Sequence, residues 1–278
     1  MRRWFRAWRR QRARGHTAPP SREPIPAFPR ATMEALRLLR DAHAPPDAVA
    51  SAIERNPGLV VRLLRIVNSA AFGLRREVTR TSHALTLLGR TKVESILIAC
   101  AVKDQLGTTV ARAPLPDHWE QAAWRAALAR GLAARLHPET QSECFVGGML
   151  LDIGLPVLAA EFPGPYRELL SAWSVDPDVD VVALEREAVG MSHTDVGRAM
   201  AQQWELPAFL QGMIEDHHQC PPPPSCPPAV ALVAGLPPAA DASDLVRATA
   251  PFGLDATWVT ATYATARAEA ASLAEQLT

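Results

Sequence analysis

The sequence predicts an all-α protein. Alanine, leucine and arginine are the commonest of its 278 residues, and alanine and arginine favour helix. Apolar residues recur at intervals of three and four along most of the chain, and no alternation with a period of two is long enough for a strand. Hydrophobic and charged contents of 48% and 21% are ordinary for a globular protein. A multi-helix bundle of two helical lobes is therefore expected.

Residues 1–16 form a basic segment with seven arginines and no acidic residue. Met1, Trp4, Phe5 and Trp8 have the spacing of one apolar helix face. Such a helix suits an anionic membrane surface or an acidic partner. A disordered basic leader is the alternative, because so short a helix is marginal by itself. The formal net charge of the whole chain is zero, so no specific nucleic-acid partner is expected.

The distribution of proline divides the rest of the chain. Residues 17–28 form a proline-rich linker, because repeated proline fixes φ and favours an extended spacer. The folded domain is predicted over 29–240, with lobes of about 29–110 and 111–240 that meet at a break containing two prolines. Residues 241–278 are predicted to form C-terminal helices packed on that domain.

Apolar periodicity and capping residues predict the individual helices. A capping box of Thr91 and Glu94 predicts a helix start at Thr91, and Ser192 is predicted to be an N-cap with Asp195 in the first turn. The predicted helices of the first lobe are Met33–Leu39, Pro46–Ile53, Leu59–Val67 and Thr91–Leu106. Those that follow lie near residues 118–136, 142–152, 166–173, 180–189, 193–204, 207–218 and 257–277.

Cysteine content and hydropathy indicate a cytoplasmic setting. The four cysteines are too few for a disulfide scaffold in a chain of this length, and Cys100 and Cys144 are expected to be core residues. No apolar run reaches the roughly 18 residues that span a bilayer, and the N-terminus lacks the apolar stretch of a secretory signal. Peripheral membrane binding is expected only if residues 1–16 provide it.

Four residues carry the chemistry of interest, namely Asp152, His193, His217 and His218. Carboxylates and imidazoles are common ligands of divalent metals, which activate water for phosphoester hydrolysis. One interpretation is that the histidines converge on Asp152 and hold a metal. The other is that they satisfy local backbone groups or complement helix ends.

A zinc site at the loop that follows these histidines is a further hypothesis. His217, His218, Cys220 and Cys226 could supply two imidazoles and two thiols. Four prolines and a serine separate Cys220 from Cys226, however, and such a stiff segment does not chelate easily. The spacing therefore argues against zinc.

Several runs in register resemble the HDOD family. The family's "N-S-a-x-F" run corresponds to Asn68, Ser69 and Phe72, and its "A-x-x-L-G" run ends at Gly89. Further resemblance is carried by Glu54–Leu59, Gly148–Leu158, Ser192–Gly197, Trp204–Pro207 and His217–His218, so that it covers roughly residues 25–240. Asn68 has two interpretations: it fixes helix register through a satisfied amide, which we favour, or it lines a pocket.

The resemblance implies a regulatory module without catalysis. HDOD proteins are related to the HD and HD-GYP metal-dependent phosphohydrolases, and act in bacterial signalling through poorly defined protein partners. Gln121 and Leu151 stand where the hydrolases have histidines. We therefore expect no enzyme and no cofactor, with a weakly held single divalent metal as the exception. The alternatives are a phosphohydrolase acting on a cyclic dinucleotide and a nucleotide sensor that uses the remnant cleft.

Overall fold

The computed structural model describes residues 28–68, 76–111, 113–115, 117–175, 179–237 and 239–277. The basic segment 1–16, most of the predicted linker, and the signature residues Ser69 and Phe72 lie outside the described residues. Within those ranges the chain is helical and contains no strand, which confirms the all-α prediction.

The helices follow one another with short connections. In the first part of the chain they are α1 Arg30–Arg40, α2 Pro46–Glu54, α3 Pro57–Val67 and α4 Thr81–Val110. They continue as α5 His118–Leu136, α6 Gln141–Leu150, α7 Leu155–Glu161, α8 Pro163–Val175 and α9 Val181–Ala188. The last are α10 His193–Gln203, α11 Ala208–Asp216, α12 Pro228–Ala234, α13 Ala242–Thr249 and α14 Ala256–Leu277.

The start of helix α4 differs most from its prediction. Helix α4 begins at Thr81, ten residues before the predicted start at Thr91, and it is interrupted at Gly89. Gly89 has φ +77°, a left-handed value that glycine adopts without the clash of a Cβ. Glu94, which the sequence assigned to a capping box, instead accepts a hydrogen bond from Arg40 Nε at 2.6 Å. The signature glycine thus bends a long helix.

Polar side chains cap helices α10 and α3. Ser192 accepts from the Asp195 backbone N–H, and Asp195 accepts from the Ser192 backbone N–H, so the predicted N-cap of α10 is confirmed as a full capping box. Asn56 caps α3 by accepting from the Leu59 N–H at 3.2 Å. These bonds satisfy backbone donors that a helix start leaves unpaired.

Two helices organise the packing. Helix α4 contacts α1, α2 and α3 on one side and α6 and α7 on the other, so it joins the first helices to the later ones. Helix α5 packs against α6, α12 and α14. Its side chains Trp124, Leu128 and Leu132 are fully buried, as are the predicted core cysteines Cys100 and Cys144. Burial of this apolar surface is the main stabilising contribution to the fold.

Asn68 lies at the C-terminal end of α3, and not inside a helix. Its side-chain amide donates to the Val78 carbonyl at 2.8 Å, and its amide oxygen accepts from the Val78 N–H at 2.7 Å. The two bonds mimic a backbone pair and join α3 to the segment that enters α4. Asn68 is exposed, and its amide is satisfied by this structural contact.

One stretch of the described chain has the length and composition of a membrane span. It covers Pro138–Glu161 with a mean hydropathy of 1.6, and 83% of its most apolar part is buried inside the protein. Its apolar side chains are therefore used in the protein's own core.

Candidate functional site

The candidate site forms where α5, α6, α10 and α11 approach one another. Two glycines allow the approach. A Cβ on Gly148 of α6 would lie 2.7 Å from the Arg125 backbone oxygen of α5, and one on Gly154 would lie 2.0 Å from the His193 backbone oxygen of α10. Neither position has room for a side chain. Close backbone contact therefore sets the position of Asp152 between α5 and α10.

The histidines converge on Asp152. His193 begins α10, His217 and His218 follow α11, and Asp152 lies in the turn after α6. Asp152 Oδ1 is 3.5 Å from His193 Nε2 and 3.4 Å from His217 Nε2, and these two nitrogens are 3.2 Å apart. The His218 ring lies against both other rings, at centroid distances of 5.0 and 4.3 Å. All four residues offer ligand atoms within 4.8 Å of one another.

A buried network fixes the His193 ring. Glu185 Oε2 accepts from the His193 backbone N–H and is 2.7 Å from His193 Nδ1. The other oxygen of Glu185 accepts from the Tyr166 hydroxyl at 2.5 Å. Glu185 and His193 are fully buried, so each polar atom needs such a partner. The sequence interpretation missed Tyr166 and Glu185, and only the short spacing from Glu185 to His193 hints at their role.

The hydrogen-bond partners fix which ring nitrogens face the centre unprotonated. His193 Nδ1 faces a carboxylate, and His217 Nδ1 lies 3.0 Å from the Ile214 carbonyl. Both partners only accept, so each Nδ1 carries a hydrogen and each neutral ring presents an Nε2 lone pair. Two lone pairs and Asp152 Oδ1 then face one another. A shared proton or another cation must lie among them or beside them.

A cation beside them is supplied by Arg125. Its guanidinium forms an ion pair with Asp152 Oδ2, and the Arg125 and Asp152 side chains are 6% and 12% exposed. Burial lowers the pKa of Arg125 to about 10, so the guanidinium remains charged at neutral pH. The sequence interpretation missed Arg125. Its signal was an arginine inside the apolar run of residues 122–129 in α5, four residues after Gln121.

The two positions that depart from the hydrolase pattern are both filled by side chains that lack an imidazole. Leu151 is fully buried in the core. Gln121 lies on α5, one turn before Arg125, and its Oε1 is buried without a hydrogen-bond partner. His118 lies one turn earlier still; burial, followed by the charge of Arg125, lowers its pKa to about 4.

The inner imidazoles resist protonation. Burial, followed by the neighbouring His193 and by Arg125, holds the pKa of His217 well below its ordinary value. The pKa of His218 is also lowered, first by burial and then by His217 and His193. Its Nε2 is buried and has no hydrogen-bond partner. His217 and His218 therefore stay neutral under conditions in which an exposed imidazole would be charged.

The donor set fits a metal only in part. Three imidazole nitrogens and one carboxylate oxygen suit a single zinc, iron or nickel ion, and Asp152, His193, His217 and His218 would hold it. These four residues supply ligands for one ion, and Leu151 and Gln121, which stand where the hydrolase pattern has histidines, add no imidazole for a second. The Arg125 guanidinium opposes even a single ion, since it already neutralises Asp152 and repels a second cation.

The cysteines of the proposed zinc site do not join this group. Cys220 is exposed, whereas Cys226 is buried. Among the described residues, the group of His, Cys, Asp and Glu side chains that could hold a metal contains His217 and His218 together with Asp152 and His193, and no cysteine. His217 and His218 thus lie with Asp152 and His193, and the structure does not support a zinc site that they share with the cysteines.

Solved structures of similar fold cover nearly the whole chain. An HDOD domain protein of unknown function from Geobacter sulfurreducens is 20% identical, with a TM-score of 0.67 and coverage of 97% of this chain and 96% of its own. A provisionally assigned phosphohydrolase from Shewanella amazonensis is 23% identical, with a TM-score of 0.69 and coverages of 90% and 94%. A provisionally assigned signal transduction protein from Marinobacter aquaeolei is 17% identical, with a TM-score of 0.64 and coverages of 91% and 59%. At these identities the likeness shows the fold alone.

Sequence comparison extends the likeness to a curated relative and to a family. An uncharacterised protein from Treponema pallidum is 26% identical over 201 residues, which is 71% of this chain and 38% of the relative. The chain therefore matches well under half the length of that relative. The HDOD domain matches residues 25–220, which is more than half of the chain. The protein thus belongs to the HDOD domain family.

Proposed function

We propose that the protein is a non-catalytic HDOD signalling module that acts through contacts with other proteins. The observation that carries the proposal is the buried ion pair between Arg125 and Asp152. In a metal-dependent hydrolase, the charge that faces such a carboxylate is a metal ion, which lowers the pKa of a bound water. A guanidinium supplies the charge but has no coordination site at which water could be activated.

The remaining residues of the site support the same proposal. Leu151 offers no ligand atom, and Gln121 offers only a weak amide oxygen. Tyr166 bonds to Glu185, and Glu185 holds the His193 ring, as carboxylates hold metal-ligating histidines in other proteins. With an internal cation in place, this network serves to join α5, α6, α8, α9 and α10.

A ligand sensor is the second candidate. At the candidate site, three buried polar atoms of the described residues have no hydrogen-bond partner, namely Gln121 Oε1, Arg125 Nε and His218 Nε2. Buried polar groups are normally satisfied, so water or a small polar ligand is expected against them. A nucleotide that binds without turnover would raise the unfolding temperature, because a ligand specific for the folded state stabilises it.

Metal content and turnover test the leading proposal. We expect purified protein to hold less than stoichiometric metal by elemental analysis. We also expect no hydrolysis of cyclic dinucleotides or of a chromogenic phosphodiester with Mn²⁺, Fe²⁺ or Ni²⁺. The matched control is Asp152→Ala, which removes the candidate metal carboxylate. Stoichiometric metal together with turnover that Asp152→Ala abolishes would establish an enzyme and overturn the proposal.

A further inference from the structure

A groove runs between α8 and α9, and none of the residues that line it belongs to the candidate site. It encloses about 600 Å³. Apolar side chains line it, with Leu169 and Ala172 on α8 and Leu184 and Ala188 on α9. Leu169 is buried at the base, whereas Ala172 and Ala188 are exposed. An apolar, open groove of this size accommodates large side chains such as aromatic rings.

The charged residues that line the groove are both acidic. Glu168 of α8 and Glu187 of α9 are exposed at its edges. An apolar floor between carboxylates favours a segment that combines aromatic and cationic side chains. Lysine and arginine satisfy such carboxylates, while neutral or acidic segments would leave them unpaired.

The chain itself contains a segment of that chemistry. Residues 1–16 combine Trp4, Phe5 and Trp8 with seven arginines and no acid. All 29 acidic residues of the protein lie beyond this segment. Electrostatic attraction between the segment and the acidic remainder of the same chain is therefore built into the sequence.

The segment is also within reach of the groove. The Phe28 ring stacks on the Trp204 ring with centroids 4.9 Å apart, and this fixes the point from which the chain continues toward its N-terminus. Trp204 follows α10, whose eleven residues span about 16 Å, and His193 at the other end of α10 bonds to Glu185 of α9. Residues 17–27 can span up to about 34 Å, as a proline-rich segment of eleven residues does.

We propose that residues 1–16 bind in the groove between α8 and α9 of their own chain, with the aromatic side chains on its apolar floor and arginines paired with Glu168 and Glu187. Tyr166 and Glu185, which hold His193, lie on the same two helices as the groove. Docking at α8 and α9 thus takes place next to the network that supports the candidate site. The inference does not depend on whether that site is catalytic.

Zero-length cross-linking of the full chain tests the proposal. Arginine does not react with carbodiimide-activated carboxylates, so Arg9→Lys and Arg12→Lys are introduced to provide amines. Mass spectrometry is expected to find these positions linked to Glu168 or Glu187. A mixture of isotopically light and heavy protein should give links within one chain. Links spread over many exposed acids, or links between two chains, would overturn the proposal.

Proteolysis of the unlinked full chain provides a second measurement. Trypsin cleavage after the tail arginines is expected to be about threefold to tenfold faster in Glu168→Gln/Glu187→Gln, because two exposed ion pairs are lost. The matched control is Glu54→Gln, which removes an exposed carboxylate on α2 and should leave the rate unchanged. Equal rates in all three proteins would overturn the proposal. Protection that arises only on vesicles containing anionic lipid would also overturn it, in favour of membrane binding.

Discussion

The substitution Asp152→Asn separates a structural ion pair from a metal ligand. It leaves the guanidinium of Arg125, whose side chain is 6% exposed, without a counter-charge, and it removes the carboxylate that faces His193 and His217. Breaking a buried pair at one end costs about 3–5 kcal/mol, because the remaining charge is desolvated and unpaired. A loss of this size lowers the unfolding temperature of a domain this large by about 10 °C. Urea unfolding followed by circular dichroism measures the change in free energy.

Two further variants make this measurement specific. Asp104→Asn is the matched control, since Asp104 pairs with Arg62 at the surface with 36% of its side chain exposed, and an exposed pair contributes about 0.2–1 kcal/mol. Arg125→Met/Asp152→Leu removes both buried charges and should be more stable than Asp152→Asn. If the free energy of unfolding of Asp152→Asn lies within about 1 kcal/mol of that of the unaltered protein, the buried Arg125 charge does not need Asp152 as its partner, and the reasoning is refuted.

Three other predictions concern the surroundings of the ion pair. First, stability should fall as the pH drops from 7.5 to 5.5. The pKa values of His217, His218 and His118 are lowered in the folded protein, so below the ordinary histidine pKa of about 6.5 the unfolded chain binds more protons than the folded one. The free energy of unfolding then falls by about 1.4 kcal/mol per pH unit for each ring that stays neutral in the folded protein. Unfolding free energies that are equal at both pH values would contradict this. Second, Tyr166→Phe should cost about 1–3 kcal/mol in urea unfolding by removing the hydroxyl that donates to the buried Glu185 carboxylate, and a neutral result would show that this bond is dispensable. Third, Gly148→Ala should lower the unfolding temperature, because its Cβ would meet the Arg125 backbone oxygen at 2.7 Å, whereas Gly164→Ala, with open space around the added Cβ, should change it little.

The helices were largely predictable because their signals are local. Apolar spacing and capping residues such as Ser192 depend on neighbours within one or two turns, so the predicted helix over 118–136 agrees with α5. The start of α4 was mispredicted for a related reason. Thr91 and Glu94 have the spacing of a capping box, but Arg40, distant in sequence, takes the Glu94 carboxylate.

The composition of the site was predictable only where its residues belong to a known pattern. The convergence of Asp152, His193, His217 and His218 was one of two interpretations, and the structure brings them together. The importance of Arg125 could not be inferred, because nothing in its own helix shows which carboxylate it meets. That contact depends on the close approach of α5 and α6 at Gly148, which only the three-dimensional packing determines.

The most direct test of the claim that Arg125 replaces a metal ion is the response of unfolding temperature to metal in two proteins. The unaltered protein and Arg125→Met are heated with and without Zn²⁺ or Mn²⁺. Removal of the guanidinium leaves Asp152, His193 and His217 without a fixed cation, so metal should stabilise Arg125→Met by several degrees and the unaltered protein by little. Equal or greater stabilisation of the unaltered protein would show that it binds metal beside Arg125, and would contradict the claim.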